Sequence, residues 1–600
     1  MVALKVELFG GMAPALEDRY LPVPQASYTV NAWLNSGVLN GFYQPKLLVE
    51  ATSMNKVGKV YRIPKDYSNS DNIMGESTFM FFENPDTDII RGSVFGDVHD
   101  RYYWASTSGP PSYNTKERII AGDPAWLLGI PIPVTAPTLT ITLGASSTLV
   151  STSYVVTYVT EYGEESAPSP PVSGNGKIDA TWTLTNIPVP PVNDMGLYRN
   201  ITKKRIYRAV TGSTGVASFF QIAELPATQT SYVDTSLNST DITGNHILES
   251  EFWTPPPTDL AGFCMGPNGV IVGWRESEVW FSEPFRPHAW SSLAVLTVEY
   301  PVVGLASIGQ SIFVMTRGYP VVIQGANPLA MLPTRVAMFE PCTSRGSIVT
   351  FQEGVYYSSG NGLILLQSGV ASNISQAFIS KEAWKEHVQS GRFRAGKLGT
   401  STYYGFGTVQ FGVFQTDTFQ TDAFQQEDFL GEAHGVYIEP RNQRISLVLL
   451  ESAEPVNNVQ HDAWSSELLV LKGNKVYWLD LADTTQVTEP AVWHSKDFQA
   501  QYKDNYSAAK IYFDLLPNTP TQNPVRNTSQ DQEELAPDQY ALIKWYGDER
   551  LLAVHEVRTS GELLRLPSTT KYDFFKFEVE TRVDISSIHF GSSPKDLRGV

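Results

Sequence analysis

Among residues that could do chemistry, the stretch Gly391-Arg-Phe-Arg-Ala-Gly-Lys-Leu398 comes closest to a known catalytic spacing. A phosphate-binding loop of this kind wraps backbone N–H groups around phosphates. It aims its lysine at the outer phosphates and needs a closing Ser or Thr for Mg²⁺. Here the closing residue is Leu398, a helix-like segment precedes the glycines, and no strand–helix–strand pattern surrounds them. No nucleotide site is expected. Arg392, Arg394 and Lys397 remain as a basic cluster in an acidic chain. They are candidate phosphate contacts, because lysine and arginine displace counterions from a nucleic-acid backbone. The alternative is a solvated charged hairpin.

Other chemistry is sparse. Neither His-Glu-x-x-His nor Gly-x-Ser-x-Gly occurs, and no Asp-box motif is seen. The nine histidines are scattered, His434 and His461 being the nearest pair. Glu164-Glu165 and Glu427-Asp428 fall in expected loops and read as solvated charge. Trp274, Trp280 and Trp290 lie close together in sequence and read as core filling, with a carbohydrate platform as the other reading. No catalytic residue, cofactor or metal ligand is assigned, and the chain is read as a non-enzyme.

Composition narrows the classes further. The 600 residues carry a net charge of −18, which argues against a dedicated nucleic-acid clamp. Two cysteines exclude a disulfide scaffold, so Cys264 and Cys342 are expected as free, buried thiols. The first residues, Met-Val-Ala-Leu-Lys-Val-Glu-Leu-Phe-Gly-Gly, are interrupted by Glu7 and the glycines, so no signal peptide is expected. No stretch reaches the ~20 apolar residues of a membrane helix.

The elements that would position any site are strands. One helix is expected near Ser380–Ser390, with Ser380 as its cap and Trp384 and Val388 on one face. Elsewhere short alternating runs of Val, Ile, Tyr, Phe and Trp are bounded by turn residues. Three segments align without gaps, beginning at Asn268, Gln310 and Glu353. Their equivalent residues Ile271, Phe313 and Tyr356 are 42 and 43 residues apart. Each reads strand, tight turn, strand, and a four-stranded propeller blade takes about 40–50 residues. Further copies are expected at Gly435–Glu439 with Arg444–Leu450, and at Leu468–Leu479, where Lys472-Gly-Asn-Lys475 makes a hairpin turn. The run from Tyr102 to Tyr113 is similar to that from Val279 to Trp290.

Residues 135–256 differ, being rich in Thr, Ser and Pro. About seven short strands there fit a fibronectin III-like β-sandwich inserted between blades, with proline-rich edges at Ile130–Pro137 and Pro255–Pro257. The expected organisation is all-β. Residues 1–134 hold an N-terminal segment and the first blades, 135–256 the inserted sandwich, 257–490 the remaining blades, and 491–600 a C-terminal sandwich-like domain. Pro517–Pro537 reads as a long loop. Phe414, Phe419, Phe424 and Phe429 recur every five residues, a period of neither helix nor strand. They form either a plain connecting loop or an apolar tip that docks or gates.

Several of these segments resemble one family. They are Phe9-Gly-Gly-Met-Ala-Pro14, Asp18 to Pro24, Ala32-Trp-Leu-Asn-Ser-Gly-Val-Leu39, the runs 269–290 and 353–369, and Phe414 to Gln425. They are similar to segments of the nozzle, or tail tubular protein B, of short-tailed bacteriophages. That resemblance implies a virion tail protein made in the host bacterial cytoplasm, with a β-propeller in each subunit. It implies a homohexameric ring below the head-to-tail adaptor, tail fibres or spikes around it, and the host envelope at its tip. The ring would continue and gate the channel through which dsDNA leaves the capsid without tight binding. The other classes kept open are a propeller-type glycan-active tail enzyme and a host-surface adhesin.

Overall fold

The computed structural model describes the chain except at residues 1–3, 35–36, 43, 95–96, 192–199, 212–216, 236, 238–240, 388–389, 400–401, 408–432, 440–445, 453, 480–488, 505, 515–538, 568–570 and 598–600. The protein is all-β, with 51 % of the described residues in strands and few in helices. It divides into two compact units, residues 1–85 with 337–600, and residues 86–336.

The unit 86–336 contains three four-stranded antiparallel meanders. The first runs Asp88–Arg91, Arg101–Ser106, Gly109–Thr115 and Trp126–Leu127. The second runs Gly262–Met265, Ile271–Arg275, Glu278–Glu283 and Arg286–Thr297. The third runs Val302–Ile308, Ser311–Thr316, Val321–Gln324 and Leu332–Arg335. Between the first and second, seven strands form two facing sheets. Thr138–Ile141, Trp182–Thr185 and Tyr232–Asp234 make one; Val172–Lys177, Leu149–Thr160, Ile201–Thr211 and Ala217–Pro226 make the other. Tyr154, Val156, Trp182, Leu184 and Ile206 fill the space between them. The chain leaves for this sandwich past Gly129 and returns past Pro255 and Pro256. These two stretches touch: a Cβ on Gly129, whose φ is +87°, would lie 2.6 Å from Pro255 Cβ and 2.5 Å from Pro256 Cδ. Only glycine fits there, on both counts.

The other unit, 1–85 with 337–600, contains three more meanders. Val349–Thr350, Val355–Ser359, Gly362–Gln367 and Val370–Asn373 form one. Helix Lys381–His387 is fastened beside it, as Trp384 Nε1 donates to the Ser359 carbonyl at 3.0 Å and the Ser380 hydroxyl accepts from Ala383 N–H. Val388 lies outside the described residues. Arg394–Leu398, Thr402–Phe406, Ala433–Glu439 and Ser446–Ser452 form the next. In the last, Asn458–His461, Leu468–Lys472 and Lys475–Leu479 are completed by Lys46–Glu50, more than 400 residues earlier.

Long-range pairing continues in the same unit. Tyr28–Val30 lies parallel to Ser446–Ser452 on one side and antiparallel to Ala491–His494 on the other. That one short strand joins a meander to the C-terminal strands Tyr572–Thr581, Ala541–Gly547 and Arg550–Val557 in a single sheet. A second C-terminal sheet pairs Leu4–Val6, Asp584–Gly591, Ala508–Asp514 and Leu563–Arg565. The sheets meet through rings: Phe590 lies 5.0 Å from Phe575 and 5.8 Å from Phe577, and Phe577 in turn lies 5.6 Å from Trp545 on the neighbouring strand of its own sheet. Such aromatic contacts add to the area they bury.

The three aligned segments take equivalent places. Ile271, Phe313 and Tyr356 each sit on the second strand of a meander, buried, with the third strand following by a hairpin. Lys472 pairs with Lys475 across the expected turn, where Gly473 has φ +54°.

Candidate functional site

A buried polar cluster of the unit 86–336 lies where the inserted sandwich meets its host sheets. Strand Arg101–Ser106 reads Arg-Tyr-Tyr-Trp-Ala-Ser, an aromatic strand with a cation at its first position. Tyr103 and Tyr113, from the neighbouring strand, join Leu260, Phe263, Ile271 and Trp290 in one apolar cluster. Arg101 is buried beside it, and a buried guanidinium needs partners. It finds two. Nε donates to Asp97 Oδ2 at 2.8 Å, and Nη1 donates to Glu164 Oε1 at 2.5 Å.

Glu164 comes from the turn after strand Leu149–Thr160 of the sandwich. The same turn brings Tyr162, which packs on the host cluster; the Arg101 guanidinium lies 5.7 Å from its ring and the His99 ring 4.4 Å away. His288, on strand Arg286–Thr297, closes the group. Its Nδ1 is 3.6 Å from Glu164 Oε1, and neither ring nitrogen has a hydrogen-bond partner. Burial, and then the Arg101 and Arg286 cations, push this imidazole down to about 3. Burial raises the Glu164 carboxyl above the usual carboxylate range, against the pull of Arg101.

Glu164 and Glu165 are therefore not solvated. Both are buried, and they face opposite partners. Glu164 faces the host strand. Glu165 turns into the sandwich, where it accepts from Tyr207 hydroxyl at 2.7 Å, Thr157 hydroxyl at 2.5 Å and Arg205 Nη1 at 2.8 Å. Their polarity suggests a loop in water, whereas Glu164 is held by Arg101 and Glu165 by Arg205 and Tyr207, all on strands distant in sequence. Arg101 leading an aromatic strand was the available signal, because a charge entering a buried strand demands an opposite charge elsewhere.

The basic cluster is split by the structure. Arg392 is exposed at the end of the short helix Ser390–Arg392. Arg394 and Lys397 both lie on strand Arg394–Leu398, three residues apart and so on opposite faces. Arg394 lies against Gly346, where an added Cβ would meet its Cδ at 2.3 Å, and Lys397 Nζ sits 5.5 Å above the Phe351 ring. Phe414, Phe419, Phe424, Phe429, Glu427 and Asp428 lie outside the described residues, as does Pro517–Pro537. Trp290 is fully buried, Trp274 is buried and Trp280 is half-buried. Cys264 and Cys342 are free thiols; Cys342 is buried and Cys264 half-buried.

Among the described residues no group of three or more His, Cys, Asp or Glu side chains is arranged to hold a metal ion, and no helix is long and apolar enough to cross a membrane. The seam between sandwich and host holds the sandwich's turn in place.

No family model and no curated protein matches the sequence. Among solved structures, the chain is similar to the N-terminal domain of Nup159, at 7 % identity over 38 % of this chain and 78 % of that one, with a TM-score of 0.20. It is also similar to the extracellular domain of the putative one component system BT4673 from B. thetaiotaomicron, at 8 % identity over 92 % and 82 % of the two chains, again with a TM-score of 0.20. Likenesses this weak carry no argument about function.

Proposed function

We propose that this chain is a structural subunit of a short phage tail, a nozzle that forms the distal ring around the DNA channel and offers a surface for fibres or spikes. One observation carries the reading: the segments that resemble nozzle proteins are used to weld sheets together. Phe9 and Met12 are buried, Met12 N–H donates to the Leu447 carbonyl at 2.8 Å, and Gly10 offers its carbonyl to Trp493 Nε1 at 3.0 Å. Ala32 and Leu34 lie in the same core. Runs 269–290 and 353–369 are the hairpins of two meanders. These are residues for stiffness, in a family whose work is mechanical. Four-stranded meanders of this length are also the units from which β-propellers are built, which is how we read them here.

The net charge of −18 suits a wall past which DNA slides, since every Lys or Arg contact to phosphate would add affinity. Opening of the channel would then be a movement of loops or domains without covalent chemistry. Sedimentation of the purified protein, alone and with its adaptor, tests the reading. A ring or ring precursor supports it. A monomer under both conditions that releases reducing sugar from host polysaccharide would replace it with the glycan-active class.

A further inference from the structure

We infer that the cluster Arg101, Glu164 and His288 is an acid-sensitive latch that holds the inserted sandwich against its host sheets and releases it when His288 takes up a proton. The geometry has three parts. First, the sandwich's own contribution to this cluster is one turn, which supplies Tyr162 and Glu164, while the returning stretch is fixed to the host strand separately, as Thr254 pairs with Trp290 and Glu249 with Arg286. Loss of the turn's contacts would therefore loosen the sandwich at the turn, while the returning stretch keeps it attached. Second, His288 is enclosed: Trp253 stands edge-on at 5.7 Å, and both ring nitrogens are buried without a partner. Third, the charges facing it do not welcome a second cation. Arg101 approaches from the host strand, Arg286 from its own strand, and Glu164 from the sandwich turn is already engaged by Arg101. Arg286 is paired with Glu249 at 2.8 Å, and Asp97 with Arg101.

The sign follows from the two states. In the closed seam the imidazole is held down to about 3, whereas in the opened seam it returns toward 6.5. Well above pH 6.5 the imidazole is neutral in both states and contributes nothing. Below it the opened seam binds a proton that the closed seam does not, so closure weakens as pH falls. Glu164 acts in the opposite direction. Its carboxyl is raised by burial, so its protonation favours the closed seam. Replacing His288 removes the first effect and leaves the second.

Hydrogen exchange on the full chain tests the latch, following peptides from 101–115, 158–167 and 286–297 at pH 7.5 and pH 5.0, corrected for intrinsic rates. The wild type should open at these peptides by up to about 30-fold more at pH 5.0, the ratio set by the two imidazole positions. His288→Phe should abolish that rise. His288→Gln, neutral and polar, should do the same and serves where the phenylalanine variant does not fold. Three results would overturn the latch: equal opening of the wild-type seam at both pH values, an acid response that persists in the folded variants, or a rise spread evenly over 86–336.

Discussion

Arg101 Nη1 lies 2.5 Å from Glu164 Oε1, tying a host strand to the sandwich's turn across 63 residues of sequence. Both side chains are buried, so the pair is desolvated on both sides. A buried ion pair contributes little when compared with apolar residues of the same shape. Losing one member is expensive, because the other charge is left stranded.

Arg101→Ala should accordingly destabilise the 86–336 unit by about 3–5 kcal/mol. The double variant Arg101→Met/Glu164→Leu should recover part of that loss, since Asp97, the other partner of Arg101, keeps its charge. Calorimetry of the full chain reads both, and equal losses in the single and double variants would contradict the stranded-charge account.

Lys204 offers a test inside the sandwich. It is fully buried, its Nζ donates to the Pro188 carbonyl at 2.8 Å, and burial pushes its amine down to about 8. Because the folded pKa lies below the unfolded value, stability should rise with pH between about 8 and 10.5, as the unfolded chain holds a proton the folded one has shed. Lys204→Met should stabilise the sandwich by about 2 kcal/mol at pH 7, through relief of a buried charge. The gain should shrink as the pH approaches 10.5. A gain independent of pH would point to packing alone.

Gly11, in the opening Phe-Gly-Gly run, sits where an added Cβ would lie 2.6 Å from the backbone N and O of Leu447. Backbone atoms cannot rotate aside. Gly11→Ala should cost about 2–3 kcal/mol, at the upper end of overpacking penalties. Denaturant unfolding followed by tryptophan fluorescence checks it, and an unchanged midpoint would show that the strand can shift.

The adjacency of Gly129 to Pro255 and Pro256 makes the sandwich removable, because its entry and exit already meet. If the chain is the nozzle subunit proposed above, deleting residues 137–254 should leave ring assembly intact and impair attachment to fibres or host. Sedimentation and adsorption assays separate the two. Failure of assembly would place the sandwich in the load-carrying part of the ring.

What the sequence disclosed was local. The spacing of Ile271, Phe313 and Tyr356 located second strands, because each meander forms from neighbouring hairpins whose turns and apolar residues are contiguous. Lys46–Glu50 completing a sheet with Lys475–Leu479 was hidden, as was Leu4–Val6 beside Asp584–Gly591, since pairing over hundreds of residues leaves no mark in local periodicity. Arg62 illustrates the same point: it is buried and bonded to Asp462 at 2.9 Å, four hundred residues away. Glu164 and Glu165 misled for a related reason. Local polarity suggests water, and only the fold supplies Arg101 to one and Arg205 to the other.

The central claim concerns assembly, and end-on class averages of the protein mixed with its adaptor test it most directly. The account predicts a closed, rotationally symmetric ring around a lumen that admits duplex DNA. Particles that stay single, or that join without closing, would contradict it.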